Sequence, residues 1–304
     1  MPRKDDTVIL EVIEYTDPYC TWCWGSEPVL RRIQEVYGDK IMIKFKMGGL
    51  VEDINKFYDP ANNIGGENWY RQVAAHWLDA SRHHGMPVDE QVFYDIKDEF
   101  RSTYPACIAY KSAEFQDEAL AKRFLRRMRE AAAAERQAIH RLEIQEILAQ
   151  EVGLAPDQFM EDIKNGKAEG PFREDLQEYR SRGNTGFPTF LIHNFKGIEI
   201  ILRGYQRFES FESAFQKIAG DTLRPNPIVT DEQSILAFVR KYGKVASKEV
   251  AEVFNLTKES AREWLSQLKE KGFLKEQKAG NGFFYSIPKN PFTCDPEAGM
   301  CLTL

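Results

Sequence analysis

Asp17-Pro18-Tyr19-Cys20-Thr21-Trp22-Cys23-Trp24-Gly25 is the stretch on which the reading of this 304-residue chain turns. Two cysteines two residues apart stand where a β-type run, Val8 to Tyr15, gives way to a helical one, Ser26 to Tyr37. In that setting a CxxC pair points to a dithiol–disulfide site. The helical run sets Val29, Leu30, Ile33 and Val36 along one side and Arg31, Arg32, Gln34 and Glu35 along the other, and Gly38-Asp39 stops it. Ile41 to Met47 alternates apolar and basic residues as a second strand. Strand, helix, strand is a βαβ unit with the cysteines at the mouth of its helix.

That position suits thiol chemistry. A free thiol is mostly protonated at neutral pH, whereas a helix N-terminus offers unpaired amide donors and the positive end of the dipole to a thiolate. Cys20 is therefore expected to be the nucleophile. Cys23, three residues on and on the same helical face, is expected to resolve the mixed disulfide. Glu11 and Glu14 on the incoming strand differ by an odd number and face opposite sides, so one of them points inward. Glu14 is expected to be that one, as a buried proton relay for the second cysteine. Far downstream, Thr185-Gly186-Phe187-Pro188-Thr189-Phe190 sets an X-Pro bond at the opening of an apolar strand, where a cis proline fits. Phe187 and Pro188 are then candidate substrate contacts, with Trp22 adding aromatic surface. Trp24 is expected to pack into the core.

Between these halves strand signals almost vanish. Helices are expected over Trp69 to His84, Asp89 to Arg101, Pro105 to Phe115, Asp117 to Ala149, Pro156 to Asn165 and Pro171 to Arg182, with Gly85, Gly153 and Gly166 as stops. Arg123 to Arg129 followed by Ala131 to Ala134 reads as a solvated helical face. Strands return at Pro188 to His193 and Ile198 to Arg203, joined as a hairpin, and Phe208 to Ala219 is helical. Gly220 to Thr230, with Pro225 and Pro227, reads as a linker. Asp231 to Lys241, Ser247 to Phe254 and Thr257 to Lys271 then read as helices. A hairpin around Lys278-Ala279-Gly280-Asn281-Gly282 completes the outline of a winged helix.

The fold class expected is α/β: a thioredoxin-like core with an inserted helical domain, plus a small C-terminal winged-helix domain. The division is 1–220 for the first domain (core 7–51 and 183–220, insertion 52–182), 221–230 linker, 231–289 winged helix and 290–304 tail.

A net charge of −6 with pI near 5.6 demands no polyanionic partner. Asp231 to Lys289 holds eleven Lys and Arg against eight Asp and Glu, modest for a DNA reader. At the start of the presumed recognition helix Lys258, Glu259, Arg262 and Glu263 alternate in sign. A protein-contacting role is favoured there over nucleic acid. No apolar run approaches the ~20 residues of a membrane span, and the first apolar run carries two glutamates, so a cytoplasmic protein is expected. Five cysteines do not make a disulfide framework, and the five histidines show no metal-ligand spacing. No metal and no organic cofactor is expected. Cys107 reads as a small buried side chain. Cys294 and Cys301, in the tail, are a candidate second redox pair, with unpaired thiols the alternative.

Over residues 7 to 220 the chain resembles the DsbA-like thioredoxin-fold oxidoreductases. The resemblance rests on Cys20-Thr21-Trp22-Cys23, Glu14 at the buried-acid position and Gly186-Phe187-Pro188-Thr189-Phe190 at the cis-proline loop. Within that group it is most similar to the cytoplasmic FrnE-type members, and Asp17-Pro18 with Glu27-Pro28 is also similar to the DsbA-like protease adaptors. The resemblance implies dithiol–disulfide exchange with protein substrates and a thiol reductant. One departure bears on direction: strongly oxidising members carry histidine between the cysteines, where this chain has Thr21 and Trp22. Less thiolate stabilisation implies a weaker oxidant, nearer a reductase or isomerase. The alternative is a redox-sensing adaptor that binds a protein partner through the thioredoxin-like body.

Overall fold

The computed structural model describes residues 8–288 and the backbone of Thr293–Asp295 and Met300–Leu302. The chain opens with β1 (Leu10–Thr16), α1 (Thr21–Tyr37) and β2 (Ile41–Met47). The insertion follows: a two-stranded flap, β3 (Tyr58–Asp59) and β4 (Ile64–Gly65), then α2 (Trp69–His84), α3 (Val92–Ile96), α4 (Tyr104–Glu114), α5 (Glu118–Ala134), α6 (Leu142–Val152), α7 (Pro156–Lys164) and α8 (Glu169–Ser181). The core resumes with β5 (Thr189–His193), β6 (Glu199–Arg203) and α9 (Phe208–Ala219). α10 (Glu232–Tyr242), β7 (Lys244–Ala246), α11 (Ser247–Val253), α12 (Lys258–Glu270), β8 (Lys275–Ala279) and β9 (Gly282–Ser286) form the C-terminal unit.

The main sheet runs β2-β1-β5-β6, with β1 parallel to β2 and antiparallel to β5. Its central strand is buried at every position because both faces are covered. α1 and α9 pack on one face through Val29, Leu30, Ile33, Phe211 and Phe215 against Val12, Phe190 and Ile192. On the other, Tyr179 of α8 lies over Ile13, Tyr15 and Leu191. Glu11 and Glu14 do face opposite sides, yet neither reaches solvent. Glu11 instead meets Lys44 (2.9 Å) and His193 (3.4 Å).

Three expectations for the insertion are corrected. The helix expected over 117–149 is two helices, broken where Arg136 takes φ 57° and Gln137 N–H returns to the Ala131 carbonyl. That break lets Ile139 enter the core and brings His140 to Tyr19, a tertiary demand that helix propensity does not report. The helix expected over 89–101 shrinks to α3, since Asp89 N–H is bonded to the Ala133 carbonyl. Finally, the Arg- and Ala-rich run of α5 is solvated at Arg123 but not at its C-terminal end. Arg129, Glu130 and Ala131 to Ala134 are buried, because small alanines admit close neighbours and the guanidiniums meet carboxylates.

The C-terminal unit has sheet order β7-β9-β8 around its own core of Ile235, Phe238, Val250, Leu265 and Leu268. Short β7 was not foreseen, and α11 begins at Ser247 as expected. The stretch read as a linker is strapped down: Leu223 is buried against the main core, Ile228 touches both cores, and Asn226 N–H donates to the Val36 carbonyl. In the tail, Thr293–Asp295 (β10) pairs antiparallel with Met300–Leu302 (β11), which places Cys294 opposite Cys301. The side chains of these two lie outside the described residues.

Candidate functional site

Cys20 occupies the N-cap of α1. Its sulfur accepts the Cys23 N–H at 3.1 Å, and its carbonyl accepts the Trp24 N–H. The loop before it is held by Asp17, whose carboxylate accepts from the Tyr19 N–H (2.9 Å), the Leu50 N–H (2.7 Å) and the Thr103 hydroxyl (2.6 Å), with the Cys107 thiol at 3.4 Å. Burial nonetheless raises the Asp17 carboxyl above its usual range, against these four donors. Cys107, read as a structural side chain, is fully buried with its thiol pushed well up by burial and by Asp17. Asp17 and Thr103 thus tie the CxxC loop to the inserted helices.

Cys23 has no solvent exposure. Burial pushes its thiol well above the ordinary range, and the neighbouring Cys20 and Glu14 act in the same direction. Glu14, also fully buried, is raised from 4.5 to about 7 by burial, against the attraction of Arg129 (3.2 Å). Arg129 cannot fully offset that cost because it is shared: it also donates to Glu27 and to the Thr16 hydroxyl. The Glu14 Oε2 atom has no hydrogen-bond partner among the described residues. A carboxyl poised near neutrality beside a thiol is the arrangement a proton relay requires.

Phe187-Pro188 is a cis peptide. The Phe187 ring stacks on Tyr179 at 4.6 Å and lies against Gly48, where a Cβ would meet it at 2.2 Å. Cys20, Trp22, Gly186 and Phe187 line one cleft of about 550 Å³, whose far wall comes from the flap and from Trp69, Trp77 and Phe100. The structure therefore brings Cys20, Cys23, Glu14, Trp22 and the Phe187-Pro188 loop into one region.

Histidines, to which the sequence assigned nothing, surround the cysteine loop. Trp22 Nε1–H donates to His76 Nε2 at 3.1 Å, with His83, His84 and Tyr205 packed around the indole. Burial pushes His84 down to about 3, so its ring is neutral. Its Nδ1 accepts the Met86 N–H, leaving Nε2–H for the Thr21 hydroxyl at 3.4 Å. Tyr19 binds His140 through its hydroxyl at 2.9 Å. Arg129 was also missed, and nothing local in the sequence marks these residues: His76, His83 and His84 come from α2, Arg129 from α5 and His140 from the break between α5 and α6.

The C-terminal unit covers the outer side of α1. Trp24 is buried, donating to the Pro87 carbonyl (2.9 Å) and meeting Phe284 of β9 edge-on, with Arg126 over its ring at 4.4 Å. Arg31, expected on a solvent face, is 6% exposed and contacts fully buried Glu249 of α11 at 2.7 Å. Glu249 also binds Arg126, which reaches Glu27, which in turn pairs with Arg129. A chain of buried charges thus runs from Glu14 to the C-terminal unit. The tip of the β8–β9 hairpin is docked too: Asn281 donates to the Val88 carbonyl (2.8 Å) and accepts from the Val88 N–H (2.9 Å), and Gly280 (φ 46°) lies where a Cβ would meet the Val88 carbonyl oxygen at 2.1 Å.

A thioredoxin family model, Thioredoxin_5, matches residues 14–213, two-thirds of the chain. The chain belongs to this thioredoxin family. Among curated relatives it is 31% identical to the ClpXP adapter protein SpxH of Halalkalibacterium halodurans over 280 residues, 91% of this chain and 89% of that protein. Its identity to the Bacillus subtilis protein of the same name is 22%, over 91% and 88%. Solved structures include a putative protein disulfide isomerase from Nitrosomonas europaea (TM-score 0.58, 20% identity, 69% of this chain and 97% of that one) and the cytosolic disulfide reductase DsbM from Pseudomonas aeruginosa (0.52, 22%, 70% and 95%). At such identities these two show the fold, which is DsbA-like. A match over 91% of the chain necessarily extends into the C-terminal unit.

Proposed function

We propose that this protein is a cytoplasmic protein-binding adaptor for ClpXP-type proteolysis, built on a DsbA-like body with a winged-helix-like unit locked behind its dithiol helix. The observation that carries this reading is the extent of similarity. Relatives named as ClpXP adapters match this chain across the body and into the C-terminal unit, whereas the disulfide-enzyme structures cover about 70% of it. The docked unit supports a protein role over a nucleic-acid role. A wing tip whose Asn281 is engaged by Val88 and Ser81 is not free to enter a DNA groove. In this reading the aromatic cleft beside Trp22 receives a polypeptide segment of the partner. The test adds this chain to purified ClpXP with a candidate substrate. Faster ATP-dependent degradation that survives Cys20→Ser/Cys23→Ser supports the adaptor, and no acceleration by the wild-type chain sinks it.

The geometry of the cysteines favours a second reading, protein disulfide reduction or isomerisation. Cys20 thiolate would attack a partner disulfide, forming a mixed disulfide and releasing one partner thiolate, which takes up a proton. Cys23, losing its proton to Glu14, would attack the Cys20 sulfur and release the second thiolate. The partner is reduced by two electrons, Cys20 and Cys23 become a disulfide, and a thiol reductant returns them to thiols. Turnover of a protein disulfide, lost in Cys20→Ser, is the sign of this activity.

A further inference from the structure

β6 ends the main sheet and pairs only with β5 among the described residues. The aim of its backbone groups follows from two hydrogen bonds that bracket the hairpin. Asn194 N–H donates to the Ile198 carbonyl at 3.1 Å and Gly204 N–H to the Pro188 carbonyl at 2.8 Å. Backbone groups alternate sides along an antiparallel strand. Ile198, Ile200, Leu202 and Gly204 therefore face β5, while the N–H and C=O groups of Glu199, Ile201 and Arg203 face away from the sheet. One of these six, the Arg203 carbonyl, accepts the Gln206 side-chain amide at 2.8 Å.

Only the two ends of this edge carry charge, and its centre is apolar. Natural edge strands are blunted by lysine, proline or bulges, and β6 has none of these. Ile200, Ile201 and Leu202 are each only partly buried, and the adjoining Ile198 and Phe195 are 50% and 62% exposed. Its only charges are Glu199 and Arg203, of opposite sign and symmetric about Ile201.

We propose that β6 pairs antiparallel with β6 of a second copy of this chain, about a two-fold axis through Ile201. In this register Glu199 lies opposite the partner's Arg203 and Arg203 opposite the partner's Glu199. Ile201 meets the partner's Ile201, and Ile200 meets the partner's Leu202. Every outward N–H of one strand then faces an outward C=O of the other, giving six backbone hydrogen bonds from the three outward residues on each side. The Arg203 carbonyl keeps a second lone pair for this contact. A slip of one residue sets outward groups against inward ones, and a slip of two removes both charge pairs. The two charges that would deter an unrelated strand thus select a second copy, and the two sheets join into one of eight strands.

Sedimentation velocity of the full chain over a concentration series, with circular dichroism to verify folding, tests the pairing. The wild type is expected to show a monomer–dimer equilibrium. Glu199→Arg or Arg203→Glu sets like charges opposite each other at both pairs and should weaken it roughly tenfold. The double variant Glu199→Arg/Arg203→Glu should restore it. A wild type that stays monomeric throughout, single swaps without effect, or a double swap that fails to restore association overturns the proposal. So does a dimer seen only after deletion of residues 1–7, since that segment would then be what covers the edge.

Discussion

Glu249→Gln removes one negative charge from a fully buried side chain while keeping its shape. Oε1 of Glu249 stands 2.7 Å from Arg31 Nη1 and 2.8 Å from Arg126 Nη1, and Oε2 accepts from Arg126 Nη2 (3.1 Å) and the Ala246 N–H (2.7 Å). After the change Arg126 still has Glu130 at 2.8 Å and Glu27 at 3.5 Å. Arg31 has no second carboxylate partner among the described residues, only the Tyr242 ring at 4.4 Å. Burial, with Arg126 adding to it, already depresses the Arg31 guanidinium. Removing one partner of a buried ion pair costs about 3–5 kcal/mol, and here the lower figure applies because Arg126 stays neutralised. The loss falls on the seam between α11 and α1, so the C-terminal unit should release before the body unfolds. Urea titrations followed by tryptophan fluorescence and far-UV circular dichroism should coincide for the wild type and separate for the variant. Arg31→Met/Glu249→Met, which fills the same space without charge, should recover most of the loss. A cost below about 1 kcal/mol for Glu249→Gln, or a double variant no more stable than the single one, would refute the view that buried charge holds this seam.

Other expectations follow from single groups. The folded-state value of Glu14, about 7 against 4.5, means that the folded protein binds the extra proton between those values. Its contribution to stability is therefore lost as pH rises through that window, reaching about 3 kcal/mol above pH 7. Glu14→Gln should match the wild type near pH 4 and be more stable by up to that amount at pH 8, and a difference that does not change with pH contradicts the assignment. Gly280→Ala forces a side chain into the Val88 carbonyl at a positive φ. It should cost about 2 kcal/mol, whereas Gly153→Ala, in the left-handed region but in open space, should cost only the backbone strain of about 1 kcal/mol. Equal losses in thermal unfolding would show that the hairpin tip is not docked.

The dithiol and its immediate frame were legible because local pattern carries them. A CxxC between a strand and a helix, an X-Pro opening a second strand and odd spacing between two glutamates are all short-range signals, and Ile41–Met47 and Trp69–His84 emerge with the boundaries their periodicity gives. What the sequence concealed is long-range. Arg31 and Arg129 read as solvated because a charged residue on a helix is normally so. Their partners Glu249 and Glu14 lie in other segments, and nothing near either arginine announces them. The histidines were passed over because no metal spacing joins them, yet His76 and His84 fix the two residues between the cysteines by plain hydrogen bonds. The C-terminal unit was outlined correctly as helices and a hairpin, but its placement rests on Glu249 and Phe284 against Arg31 and Trp24 of α1 and on Asn281 against Val88 and Ser81, none of which differs locally from an ordinary helix, core or turn residue.

Partner binding, rather than disulfide turnover, is the work proposed for this chain. The most direct measurement is the protease-delivery assay with the wild type, Cys20→Ser/Cys23→Ser and Glu249→Gln side by side. The dithiol-free variant is expected to accelerate substrate degradation as the wild type does, and Glu249→Gln, with the seam to its C-terminal unit weakened, to do so several-fold less. Acceleration abolished by loss of the two thiols, together with protein-disulfide turnover by the wild type, would contradict the proposal.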